Sequence, residues 1–142
     1  MTDIVLFLHV LGALTVGFYL LLPFVVSKLK GLNPQAQVGF ARSIFGLNRV
    51  GQWLLIVQFL TGGYLISKYE LSVAWMIVVI VLFVALGAVS GMIAGPLKRI
   101  IAHGGEGKAA AAKDASKLSA FSGAASLLVL VLLFLMYYPG VL

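Results

Sequence analysis

The sequence predicts an all-α fold: an integral membrane four-helix bundle with its N-terminus and C-terminus on the outer side. Three observations predict it. Residues 4–27, 50–67, 71–97 and 118–142 contain no Asp, Glu, Lys or Arg, and a helix needs roughly 20 apolar residues to cross a bilayer core. Of the 142 residues, 62% are hydrophobic and 10% charged, against about 25% charged in a soluble domain, so a water-facing fold is excluded. The basic residues are also sorted. Lys28, Lys30, Arg42 and Arg49 precede the second apolar stretch, and Lys98, Arg99, Lys108, Lys113 and Lys117 precede the fourth; only Lys68 lies elsewhere. Lys and Arg mark the cytoplasmic side, which puts both chain ends outside; the expected location is a bacterial plasma (inner) membrane.

The elements follow in order, as one domain. The first span covers about 4–27. Asp3 is its N-cap, and Pro23 predicts a kink near Tyr19 to Pro23. The stretch is too long and uninterrupted for a cleaved leader, so it is expected to stay as a first helix. Asn33-Pro34 reads as N-cap and first helical residue. The helix it opens, about 34–47, fits two descriptions equally: an amphipathic helix lying in the inner interface, or an N-terminal extension of the second span. The second span covers about 49–67 and the third about 72–95, ending with a kink at Gly95-Pro96, after which a few more helical residues, Leu97 to His103, are expected before Gly104-Gly105. Lys108 to Ser119 is alanine-rich and favours helix, so the fourth span, about 118–138, begins well inside the cytoplasm and stops at Pro139-Gly140. Tyr69, Trp75, Tyr137 and Tyr138 are expected at the outer boundary and Trp53 at the inner one, where aromatic rings prefer the headgroup level.

Small residues predict the packing. Gly87, Gly91 and Gly95 repeat at four-residue spacing on the third span, and Ala112, Ser116, Ala120 and Ala124 on the fourth, with Ser119 and Gly123 alongside. Such spacing lets helix backbones approach, and predicts close contact between spans three and four through these stripes. On the first span His9, Gly12, Ala13, Val16 and Gly17 share a face; on the second Gly51, Leu55, Gln58 and Gly62 do. Pairing these faces puts His9 and Gln58 inside the bundle. Packing is the ordinary reading of such stripes, with a dimer interface as the alternative.

His9 is the only histidine inside a span, and intramembrane ionisable residues are costly to bury. Met76 and Met136 are expected at similar depth. An imidazole with thioethers can bind Cu(I), and His with Met can hold a haem iron; the bland reading is a histidine hydrogen-bonded to a neighbouring helix. His103 falls on the other side of the core and reads as a solvated helix end. The chain has no cysteine, which excludes disulfides and thiolate metal sites. No Ser-His-Asp, HExxH or P-loop pattern is present, and no embedded carboxylate offers a proton carrier. The net charge of +6 serves topology and anionic headgroups rather than nucleic acid, for which there is no fold.

The stretch Leu8-His9-Val10-Leu11-Gly12-Ala13 with Gly17 after it resembles the first-helix signature of small bacterial four-helix membrane proteins, in the style of the copper-resistance D membrane domain. The resemblance implies copper or haem handling in the membrane, with His9 as the residue carried over. From the residues themselves, the first expectation is a membrane protein without its own catalytic centre and needing no cofactor. It would act as an accessory or structural subunit beside other membrane subunits, or as a small homo-oligomer, in the lipid bilayer. The alternative is a haem- or copper-binding redox protein using His9. A small-solute transporter or channel ranks third.

Overall fold

A computed structural model describes residues 2–142. They form five α-helices: α1 (Thr2–Val16), α2 (Phe18–Val26), α3 (Pro34–Ile66), α4 (Val73–Gly105) and α5 (Ala112–Tyr137), with short 3-10 turns at Leu29–Gly31 and Pro139–Val141. No strand occurs among the described residues. The α1–α2 rod packs on α3 through α1 and on α5 through α2, while α4 packs on both α3 and α5. The rods therefore close into a four-membered ring. Short connections alternate their direction, so one end of the ring carries the chain termini and the other carries the two basic loops.

Three stretches are long and apolar enough to cross a membrane: Thr2–Val26, Val73–Gly105 and Ala112–Tyr137. The second expected span, about 49–67, lies in α3, whose apolar run is interrupted by Gln52, Gln58 and Thr61. At 1.5 Å per residue, the 33-residue α3 and α4 are each about 50 Å long, well beyond a ~30 Å hydrocarbon core. Large apolar side chains cover much of the outside, among them Phe7, Leu14, Phe24, Trp53, Leu60 and Leu127.

The buried residues explain the ring. On α3, Leu65 is buried near the end of the helix, and Gln37, Ala41, Ile44, Asn48, Gly51 and Leu55 are buried at a spacing of three and four. Leu86, Ser90, Ile93, Leu97, Ile100 and Gly104 do the same on α4, and Ala115, Leu118, Ser122, Ala125, Val129 and Leu132 on α5. Such 3.5-residue seams are those of helices packed nearly antiparallel, knobs into holes.

Several local expectations change. Of the two descriptions of residues 34–47, the N-terminal extension holds rather than a separate interfacial helix: α3 runs unbroken from Pro34 to Ile66, its buried seam passing through Ile44, Asn48 and Gly51. Asp3 is not a cap but sits in the first turn of α1. The first rod breaks at Gly17, not near Pro23, which lies inside α2. At Gly17 the backbone tightens, with Leu20 N–H donating to Gly17 O at 2.9 Å, and a Cβ there would meet Leu14 O at 2.9 Å. Pro96 does not end α4, which continues to Gly105 with Ile93, Leu97 and Ile100 buried around it. Asn33 does cap α3, accepting from Ala36 N–H at 2.8 Å, and Ser72 caps α4 in the same way through Trp75 N–H at 3.0 Å.

The loop end is tied by polar contacts. The Gln37 amide donates to Leu29 O at 3.1 Å and accepts from Ala110 N–H at 2.8 Å, so one side chain joins both basic loops. Arg99 Nε meets Asp114 Oδ1 at 2.6 Å, with Asp114 buried. Gly104 lies under Val38 and Pro34, where a Cβ would meet Pro34 O at 2.8 Å. At the other end Trp75 is buried, 3% exposed, and donates from Nε1 to Leu135 O at 2.9 Å. It therefore ties α4 to α5 instead of anchoring at a headgroup, whereas Tyr69, Tyr137 and Tyr138 are exposed.

Candidate functional site

Two polar clusters lie within the ring. The first joins α2, α3 and α4. Tyr19 sits on the buried face of α2 beside Gly51, whose missing side chain makes the room: a Cβ there would meet the Tyr19 hydroxyl at 2.9 Å. The hydroxyl donates to Asn48 Oδ1 at 2.7 Å, and Asn48 Nδ2 donates to Ser90 O at 2.9 Å. Ser90 Oγ turns back to Gly87 O at 2.7 Å. Tyr19, Asn48 and Ser90 are at most 1% exposed. Nearby, Ser126 Oγ donates to Leu20 O at 3.1 Å and joins α5 to α2. In an apolar surrounding an unmatched polar group is expensive; here the Tyr19 hydroxyl and the Asn48 amide bond across helices, while the Ser90 hydroxyl is satisfied within α4.

The second cluster lies nearer the chain termini, between α1 and α3. His9 is half-buried. Its Nδ1 lies 2.8 Å from Thr61 Oγ1, and its ring covers Gly62, where a Cβ would meet Cε1 at 3.3 Å. Thr61 Oγ1 is also 2.8 Å from Val57 O. A hydroxyl has one proton; with that proton on the Val57 carbonyl, the Nδ1–H of His9 is the donor to Thr61. In the neutral ring the lone pair is then on Nε2. One turn along α1, Gln58 Oε1 rests directly over Gly12, leaving no room for a Cβ, and this oxygen is buried without a hydrogen-bond partner. The glycine Cα–H groups are the only donors such a close approach offers, and those are weak.

The expected site residues are distributed as follows. His9 and Gly12 of α1 meet Gly62 and Gln58 of α3. Gly17 forms the break of the first rod. Met76 packs on the hydrophobic core from α4, and Met136 is 41% exposed near the end of α5. His9 directs its hydrogen bond to Thr61, not to a thioether. Among the described residues no group of three or more His, Asp or Glu side chains could hold a metal ion. Helices α4 and α5 do pack together, but not through the small-residue stripes: added Cβ atoms at Gly87, Gly91 and Gly123 meet nothing within 4 Å, and Gly95 faces only Arg99 of its own helix. Ala112, Ser116, Ala120 and Ala124 are exposed. The buried residues of the two helices lie instead on their 3.5-residue seams, whose larger side chains bury more surface than a glycine face can. His103 is half-buried and its Nδ1 has no partner, so it is not a solvated end.

In the sequence Asn48 stands beside Arg49 and Gln52 and reads as an anchor at the inner interface; in the structure it is fully buried. Only the seam drawn through Ile44, Asn48 and Gly51 would have turned it inward. No family model, no curated protein and no solved structure matches the chain.

Proposed function

We propose that the chain is a multi-pass protein of a bacterial plasma membrane, crossing it four times with both ends outside, and that it serves as an accessory or structural subunit without a catalytic centre of its own. The observation that carries this reading is the use made of the embedded polar side chains. The Tyr19 hydroxyl bonds the Asn48 side chain, and that side chain bonds the Ser90 carbonyl, across three helices, which is how polar groups hold membrane helices together. They do not line an open path. The unbroken charge-free sequence after Arg49 and the burial of Gln58 against Gly12 support the crossing of α3, and the basic loops support its direction. The test is purification in mild detergent at native expression. The reading expects a colourless, metal-free protein in a particle larger than its 15.1 kDa monomer. A stoichiometric metal or pigment on the isolated chain would sink it.

One observation favours a second reading. The Thr61 hydroxyl orients His9 as outer-shell partners orient a metal-bound histidine, leaving Nε2 with a lone pair. Under this reading His9 binds haem iron or copper, in line with the resemblance of the first helix. It expects a Soret band or bound copper that is lost in His9→Ala; retention of the cofactor in that variant removes it.

A further inference from the structure

A groove of about 390 Å³ runs along the outside of the α3–α4 contact, within the roughly 300–1,000 Å³ of small-molecule sites. Its walls are apolar, chiefly Leu55, Ile56, Phe59 and Leu60 of α3 with Phe83 and Val84 of α4. Phe59 and Phe83 stand 5.8 Å apart, centroid to centroid. Gly87 keeps the floor low, since nothing lies within 4 Å of where its Cβ would be. Toward the loop end the groove continues, through the shared residues Gln52 and Ile56, into a second depression lined by Arg49 and Trp53. Of the two polar lining residues, Ser90 is already bonded to Gly87 O and Gln52 is shared with the depression toward the loop end.

We infer that this groove holds an anionic phospholipid of the leaflet on the basic-loop side, with one acyl chain between α3 and α4 and the headgroup phosphate at Arg49 and Gln52. The inference rests on α3 crossing the membrane. Three features select this occupant. Arg49 is exposed and belongs to neither ion pair of the described residues, Arg99–Asp114 and Lys108–Glu106, so its charge is available to a phosphate. Trp53, 68% exposed, provides the amphipathic ring that favours headgroup depth. From Arg49 to Leu60 the helix rises about 16 Å, close to half of a ~30 Å core, the depth of a chain from one leaflet. A second copy of this chain fits less well. A two-fold axis along the membrane normal presents the same patch on both subunits, and would set Arg49 facing Arg49 at equal depth.

The experiment is native mass spectrometry of the full chain, released from detergent with an equimolar mixture of phosphatidylglycerol and phosphatidylcholine of matched chains. One retained phosphatidylglycerol is expected, with a preference of about fivefold, as one basic residue near the surface confers. Arg49→Gln should erase the preference while lipid is still retained. Gly87→Leu should expel both lipids, and Gly91→Leu, outside the groove, should expel neither. Equal retention of the two lipids, an unchanged preference in Arg49→Gln, or a dimer cross-linked through the groove would each overturn the inference. Arg49 is exposed, so that variant stands even where Gly87→Leu fails to fold. Cysteine labelling in sealed vesicles at Gly31→Cys and Ser67→Cys, in a chain with no other cysteine, separates the two premises. Labels on one side mean that α3 does not cross, and both readings fall. Labels on opposite sides without a lipid preference sink the groove proposal alone.

Discussion

The two polar clusters use the same kinds of side chain in opposite ways. Around Asn48, three helices converge, each side chain is fully buried, and donors meet acceptors at 2.7 and 2.9 Å. Around His9 only two helices meet, the ring is half-buried, and the matching is incomplete: Gln58 Oε1 has no partner and one imidazole nitrogen keeps its lone pair. The first cluster is consumed by holding the bundle together. The second has unused bonding capacity. The difference teaches that a polar residue inside an apolar bundle is judged by what remains unbonded after packing, not by its identity. His9 is chemically the sharper residue, yet Asn48 has the larger structural role.

Substitutions can break this contrast, beginning with the largest effect. Asn48→Leu removes both cross-helix bonds and strands the Tyr19 hydroxyl at a site with 0% exposure. It should lower unfolding free energy in mixed micelles by about 2–3 kcal/mol. Tyr19→Phe should cost about half as much, because Asn48 keeps its bond to Ser90; equal stability of Asn48→Leu and the parent would remove the central cluster as a determinant. Gly104→Ala comes next. Its Cβ meets the Pro34 carbonyl at 2.8 Å as well as Val38, and backbone cannot swing aside, so thermal unfolding should report a loss of about 1–2 kcal/mol.

The cluster at the terminal end should yield less. Thr61→Val deletes one partly exposed bond to His9, and about 0.5 kcal/mol is expected from denaturation in the same micelles. A loss as large as that of Asn48→Leu would show that the two clusters do not differ as described. The smallest effect belongs to Gly91→Ala. Nothing lies within 4 Å of the added methyl, and alanine is the better helix former by up to about 1 kcal/mol, so helical content and melting temperature should hold or rise slightly. A clear fall would mean that the exposed glycine face is packed against another chain.

Much of the fold is legible because the apolar and charged residues are segregated so sharply. The stretches 4–27, 71–97 and 118–142 contain no fixed charge, and each overlaps, for most of its length, a rod long and apolar enough to cross a membrane. Asn33-Pro34 announces its cap directly, since an Asn acceptor and a proline without N–H suit the first turn of a helix. The facing of His9 and Gly12 toward Gln58 and Gly62 also follows from helical periodicity, because a glycine opposite a bulky polar side chain is a local steric match. The α4–α5 contact is where the same logic misleads. Gly87, Gly91 and Gly123 have the spacing of a packing stripe, but the buried seams, through Ser90, Ile93, Leu97 and Ile100 on α4 and Leu118, Ser122 and Ala125 on α5, lie on neighbouring faces. Both faces are allowed by periodicity, and periodicity cannot rank them.

The sequence by itself determined the all-helical class, the long apolar rods, the loops between them and the charge bias of those loops. These depend on local propensity and on transfer of apolar side chains, which act along the chain. Tertiary structure alone decided that α3 is one rod from Pro34, that Trp75 points into the bundle, and that Asn48 stands between Tyr19 and Ser90, residues 29 and 42 positions away. Those outcomes depend on which face of each helix meets which neighbour. That choice is set by the fit of all the seams together, and no single segment contains it.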